Sequence, residues 1–347
     1  MYIKKIILVI ALLGLVAMAF VSYKIYDLVF APNTEFDEDQ VAIFIKSDDE
    51  YADVRKQLDT LLKNIEEFDM VAQKKGYASN IRAGKYILRN GMNNNEIVNA
   101  LRRGNVPVSV TYNNQERLED LAGRISRQIE ADSVSLLKAM KDTAFLQDND
   151  LDLQNALGMY IPNKYEFFWN TSAEGFRERM LTEYKRFWNE ERLAKAEAIG
   201  LTPQEVTVIA SIVQKETAKV SERPKVAGVY MNRINNGWKL DADPTVIYAI
   251  KNKNQNFDTI IKRVLYKDLT LDSPYNTYLY GGLPPGPIFM PDISSIDAVL
   301  NYEKHDYFFF VADVENFGYH KFAETLAQHN RNKQEYVRWI NQQSIYR

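Results

Sequence analysis

The feature that acts first on this chain lies at its N-terminus, where Lys4 and Lys5 precede an unbroken apolar run from Ile6 to Val21. At ~1.5 Å per residue the run reaches ~24 Å as a helix, a little short of a bilayer's hydrocarbon core. Ile3 on one side, with Tyr23 and Tyr26 on the other, completes the span, and Lys24 is able to snorkel toward headgroups. The run has no polar face, so the segment reads as a membrane span, and the paired lysines put its start in the cytoplasm. A cleaved leader is the competing reading, because Ala17-Met18-Ala19 matches a small-x-small cleavage site. A retained anchor is preferred, since Phe20 and Val21 carry the apolar run past that site. Either way, the rest of the chain is expected outside the cytoplasm.

Downstream, polar and apolar segments alternate as in an α+β protein. Residues 1–30 form the cytoplasmic tip and anchor, and the acidic stretch 31–40 reads as a linker. Residues 41–105 form a small α+β module, with strands over Val41–Ile45 and Ala83–Leu88. Its helices are expected over Glu50–Leu62 and Glu66–Lys75, with a third ending at Gly104. Residues 106–347 form a larger α+β domain. It opens with a strand ending at Tyr112 and a helix whose stripe is Leu118, Leu121, Ile125 and Ile129. One long helix is expected from Ala173 to the stop at Gly200.

Composition removes several functions. A net charge of -3 argues against nucleic acid, whose binders carry a basic face. There is no cysteine, and His305, His320 and His329 are too scattered for a metal cluster, so neither metal nor cofactor is expected. The 21 Tyr, 17 Phe and 4 Trp supply material for stacking on sugar rings, although most must serve the core.

The stretch VIASIVQKETAKVSERPKV, Val208 to Val226, begins apolar and turns charged without a change of register. Its helix starts at TPQE, with Thr202 as N-cap, Pro203 first in the helix and Glu205 closing a capping box. Counting on, Val206, Ile209, Val213 and Glu216 fall at steps of three and four. A carboxylate on that face loses hydration, so its pKa should rise toward the range of a general acid for glycosidic cleavage. A rim glutamate paired with a cation, or a helix-end residue facing water, satisfies the same periodicity.

ASIVQKET with SERPKVAGVYMNRI, then DADPTVIYAI, then SPYNTYLYGGLPPGPI resembles the endolytic murein transglycosylase (YceG-like) family. YFFFVAD at Tyr307–Asp313, His329-Asn330 and MYIPNKYEF also look like family segments, and AGKYIL with its following helix resembles the family's LysM-like module. The likeness covers nearly the whole chain. It implies that Glu216 is the catalytic residue, that glycan strands of nascent peptidoglycan are the substrate, and that strands end as 1,6-anhydro-muramic acid. It also implies a single-pass protein of the bacterial inner membrane with a periplasmic catalytic domain, and membrane-bound peptidoglycan synthases as partners. Two departures stand out: QKET where EKET is usual, and MPD at Met290–Asp292 after GPI.

Further candidates come from the same segments. Asn232, Arg233, Asn276 and Tyr278 could donate to acetamido and hydroxyl groups or serve equally well as structural hydrogen-bonders, and Asp243, Thr245 and Tyr275 join them as substrate-binding candidates. A hydrolase would need a second carboxylate, for which Asp241 and Asp243 are available unless they only shape the turn before Pro244. GGLPPGPI suits a stiff loop framing a groove or an ordinary surface turn. The rival functions are a non-catalytic wall-binding scaffold and a hydrolytic muramidase.

Overall fold

Continuous apolarity does produce a helix. In the computed structural model, which describes residues 2–342, α1 runs from Tyr2 to Phe30. Its 29 residues span ~43 Å, and the side chains of its apolar run are exposed. Among the described residues it is the one helix long and apolar enough to cross a membrane. Its last turn is different, because Leu28 and Val29 rest on a protein core and Asn94 donates to the Leu28 carbonyl at 2.9 Å.

The chain divides into two compact units. The first holds the chain up to Val110, with Arg127–Ala131 and Tyr165–Ser172; the second holds the remainder. In the first unit follow β1 (Gln40–Ile45), α2 (Tyr51–Asp59), α3 (Ile65–Lys74), β2 (Gly84–Arg89) and α4 (Asn94–Arg103). β1 and β2 pair antiparallel with Gln40 opposite Arg89 and Ile45 opposite Gly84. Alternation along the strands turns Ile43, Ile45, Tyr86 and Leu88 onto Leu58, Phe68, Ile97 and Leu101 of the helices.

Two expectations change here. The helix expected to reach Leu62 stops at Asp59, because Thr34 takes Leu62 in an antiparallel bridge and Lys63 N–H donates to the Asn33 carbonyl. The 31–40 stretch, read above as a linker, is therefore docked at its start. Asn33 is buried, donating to the Asn64 carbonyl at 2.8 Å and to Asn94 at 2.7 Å while accepting from Asn64 N–H at 2.9 Å.

β3 (Pro107–Tyr112) and β4 (Asn163–Phe168) form a two-stranded ribbon. Between them lie α5 (Leu118–Ile125), α6 (Ser133–Met140) and α7 (Thr143–Gln147). Ile129 is buried but lies beyond the end of α5, so it is not on that helix's stripe. The single helix expected from Ala173 is two, α8 (Ala173–Phe187) and α9 (Glu190–Ala198). Asn189 breaks them: its backbone is extended, and its side chain accepts from Arg192 N–H at 3.0 Å as the cap of α9.

The second unit is built around α10 (Pro203–Glu216), with every residue from Val206 to Val213 buried. Against it pack α11 (Arg223–Asn235), α12 (Asp243–Asn254) and α13 (Ile293–Leu300). A hairpin of β5 (Phe309–Ala312) and β6 (His320–Ala323), with Ala312 opposite His320, and the helix α14 (Leu326–Gln342) complete it.

Candidate active site

The start of α10 sets where its last residue falls. Thr202 Oγ1 accepts from Glu205 N–H at 3.2 Å and the Glu205 carboxylate accepts from Thr202 N–H at 2.8 Å, with Pro203 first in the helix. From that point the buried stripe of Val206, Ile209 and Val213 delivers Glu216 as the final helical residue. The helix does not run on into the charged half of the segment. Thr217 is extended (φ -135, ψ 132), Val220–Glu222 forms one tight turn, and α11 starts afresh at Arg223. The apparent continuity of register between Val208 and Val226 therefore ends at Glu216.

The Glu216 side chain keeps part of its surface open while its carboxyl is enclosed by protein atoms, and Oε1 accepts from the Tyr230 hydroxyl at 2.6 Å. Burial raises the carboxyl's pKa to about 7. The Tyr230 bond, the His320 imidazole and Arg233 hold it down, and Asp243 pushes it up. Tyr230 is 1 % exposed, and burial together with Glu216 raises its phenol pKa well above the ordinary value. The result is a carboxyl poised to give and take a proton near neutral pH.

Of the other candidates, Asp243 and Tyr278 are joined to each other, the phenol donating to the carboxylate at 2.7 Å. Both act electrostatically on Glu216 or respond to it. Arg233 is buried and spends its guanidinium on the Phe308 carbonyl at 2.8 Å and the Leu240 carbonyl at 2.6 Å, with Asp241 3.7 Å away. Asn232 donates to the His305 and Tyr307 carbonyls at 2.7 and 2.9 Å. Asn276 donates to the Leu269 and Leu271 carbonyls, and Thr245 donates to the Ala242 carbonyl at 2.7 Å. Asn276 and Thr245 are fully buried. These three side chains hold loops in place, so their hydrogen-bonding capacity goes to backbone rather than to a ligand. Tyr275 is buried against Tyr248, ring centres 4.7 Å apart. Asp241 sits at φ 46 and faces Arg233.

Sequence reasoning missed Tyr230 and His320. Tyr230 lies four residues after buried Val226 on α11 and reads as core, and its buried hydroxyl, which needs a partner, was the available signal. His320 lies 104 residues beyond Glu216 on β6, and nothing local marks it.

A model of the YceG-like family matches residues 43–335. A protein named endolytic murein transglycosylase from Bacillus subtilis is 30% identical over 295 residues, 80% of this chain and 79% of that protein. One of the same name from Streptococcus pneumoniae serotype 2 is 28% identical over 298 residues, and the match spans 78% of this chain but about half, 53%, of that longer protein. A crystal structure of a yceG-like protein from Listeria monocytogenes superposes with a TM-score of 0.57 at 28% identity, covering 85% of this chain and 99% of that one. The chain belongs to the YceG-like family.

In this YceG-like protein Gln214 and Asp292, which stood out in the sequence, touch each other. Gln214 Nε2 donates to Asp292 Oδ2 at 3.0 Å, and its Oε1 accepts from Asp292 N–H and from Ser295 Oγ at 3.0 Å. A glutamate at 214 would set a second carboxylate against Asp292, so the amide and the aspartate belong together. The second half of GGLPPGPI is not an ordinary surface turn. Ile288 N–H donates to Ser211 Oγ on α10 at 3.1 Å, and a Cβ at Gly286 would come within 2.1 Å of the Gln154 carbonyl oxygen. A cavity of about 280 Å³ lined by Pro244, Tyr248, Lys251 and Phe257 lies beside α10 and α12. Glu216 does not line it, although its neighbour Lys215 does, paired with Glu116 at 2.9 Å.

Proposed function

We propose that this YceG-like protein is a membrane-anchored endolytic murein transglycosylase with Glu216 as its catalytic acid and base. The observation that carries the reading is the enclosed Glu216 carboxyl with its pKa of about 7, on a family segment, bonded to Tyr230. A carboxyl half protonated at neutral pH donates its proton to the oxygen linking N-acetylmuramic acid to N-acetylglucosamine, and the C1–O bond breaks. The resulting carboxylate takes the proton of the muramic acid's own C6 hydroxyl, whose oxygen closes on C1. No water enters, and the strand ends as a 1,6-anhydro sugar. One carboxyl serves both steps because the nucleophile is tethered to the reacting ring.

Hydrolysis would recruit a second carboxylate. Asp241 is turned toward Arg233, whereas Asp243 lies near enough to Glu216 to raise its pKa and is the candidate for that role. The apolar helix α1 is compatible with an anchor or a leader; as an anchor it would hold the chain at the membrane on whose extracytoplasmic face new polymer is made. The β-α-α-β order of the first unit supports a LysM-like glycan-binding role, and synthases that make the polymer are the partners this placement favours.

The deciding experiment incubates the full chain in detergent with purified glycan strands and reads the products by mass spectrometry. Internal fragments ending in 1,6-anhydro-muramic acid are expected. Reducing ends that carry an added water would make the enzyme a muramidase, and binding without products would make it a scaffold.

A further inference from the structure

Glu222 is a buried carboxylate that the reaction above does not use. It is 5 % exposed and stands in the tight turn between α10 and α11. Its two oxygens grip one residue: Oε1 accepts from His320 N–H at 2.6 Å, and Oε2 lies 2.9 Å from His320 Nδ1. It also accepts from the hydroxyl of Thr217, the residue that follows Glu216. Burial pushes the Glu222 pKa up, but the bonds from His320 and Thr217 outweigh it, and the net shift is downward. Glu222 is therefore an ionised acceptor, and an ionised acceptor fixes the proton of His320 on Nδ1. Among the described residues Nε2 makes no hydrogen bond, while the His320 side chain is only 15% exposed.

The imidazole is joined to Glu216 by packing as well. Its ring meets Phe310 edge-on at 5.0 Å, Phe310 meets Tyr230 edge-on at 6.1 Å, and Tyr230 donates to Glu216. The groups that face Glu216 are Tyr230 and Arg233 from α11, Asp243 from α12, Tyr278 from the loop beyond it and His320 from β6. After burial and the Tyr230 bond, His320 has the largest effect on Glu216 among them, and it lowers the carboxyl's pKa.

We propose that Glu222 and His320 are positioning residues for Glu216: Glu222 ties the end of α10 to β6 and orients an imidazole, and His320 packs through Phe310 against Tyr230, the residue bonded to the reacting carboxyl. This rests on Glu216 being the proton donor and adds a carboxylate–imidazole pair that no local sequence pattern reveals. The pair restrains the proton affinity of a carboxyl that burial alone would leave too weak an acid: the ring, when protonated, favours the ionised form of Glu216 by its charge, and Glu222 holds the ring in place.

The test uses the full chain in detergent, with the variants His320→Gln and Glu222→Gln. The Glu216 carboxyl is followed by ¹³C NMR against pH, and cleavage of glycan strands is followed over the same range. In both variants the Glu216 titration, and with it the basic limb of kcat, should move to higher pH by about half a unit. Because the acid form is the active one, the sign is fixed: a weaker acid stays protonated to higher pH. At the optimum kcat should fall by up to about threefold, the most that half a unit in acid strength gives, with KM little changed. A rate loss equal at every pH, with the Glu216 titration where the unsubstituted protein has it, would reduce the pair to a structural tie and overturn the proposal.

Should either variant fail to fold, ¹⁵N-histidine spectra of the unsubstituted protein still decide. The neutral His320 ring must carry its proton on Nδ1, and a neutral ring protonated on Nε2 would overturn the assignment. Failure of the underlying reading looks different, because Glu216→Gln would then keep full activity whatever the Glu216 titration shows.

Discussion

Replacing Glu216 by glutamine should stabilise the protein at alkaline pH while abolishing cleavage, and the size of the effect follows from the site. The carboxyl's pKa is raised from 4.5 to about 7 by burial. Between those values the folded protein holds a proton that the unfolded chain has released, so stability falls as pH rises through the window. A shift of about 2.5 units at 1.36 kcal/mol per unit gives about 3 kcal/mol, all of it lost above pH 7 and none below pH 4.5. Glutamine has the same shape, still accepts from Tyr230 and carries no charge to bury. The variant should therefore match the unsubstituted protein at pH 4 and exceed it at pH 8. At roughly 2–4 °C per kcal/mol, the melting temperature at pH 8 should rise by about 6–12 °C. Thermal unfolding of both full chains in the same detergent at the two pH values measures this. Equal stabilities at both would mean that the Glu216 carboxyl is hydrated, and the case for it as general acid would fall.

Removing the Tyr230 hydroxyl (Tyr230→Phe) takes away a hydrogen bond to the charged form of Glu216, worth about 1.5–3 kcal/mol. The basic limb of the pH–rate profile should move up by about one unit or more, and an unmoved limb would place the bond outside the working site. Asn33→Ala orphans its partners at Asn64 and Asn94 and should cost the first unit about 2 kcal/mol, read as faster amide exchange in α3 and α4. Exchange unchanged from the parent would show that Asn33 does not hold the start of the 31–40 stretch to the first unit. Gly228→Ala sets a Cβ 2.3 Å from the Glu303 carbonyl oxygen and 2.6 Å from His305 Nε2, and should destabilise the second unit by about 2 kcal/mol or more. A variant as stable as its parent by circular dichroism melting would show that the 303–305 segment yields freely.

Local chemistry made much of this protein legible. The apolar run gives α1, the Thr202–Pro203–Glu205 start gives α10, and alternation gives β1 and β2, because each depends on neighbours within a turn or a strand pair. The same periodicity carried Glu216 to a buried face. Where the reading slipped, a distant group had intervened. Thr34 takes the backbone of Leu62 and shortens α2, while Asn189 prefers to cap α9 over continuing α8. Along the chain Asn232 and Asn276 were equally open to a structural or a sugar-binding role, and only the tertiary structure shows their amides, with the Thr245 hydroxyl, bonded to backbone carbonyls.

Periodicity reports which face a side chain lies on, and nothing about what meets it there. The chain alone was therefore enough to place a carboxylate on an apolar helix face and to resemble a family that uses it. Its proton affinity depends on Tyr230, Asp243 and His320, brought by α11, α12 and β6 from 14, 27 and 104 residues away. Desolvation and electrostatic contact act through space, so the pKa of Glu216 could be written only once those elements had packed around it.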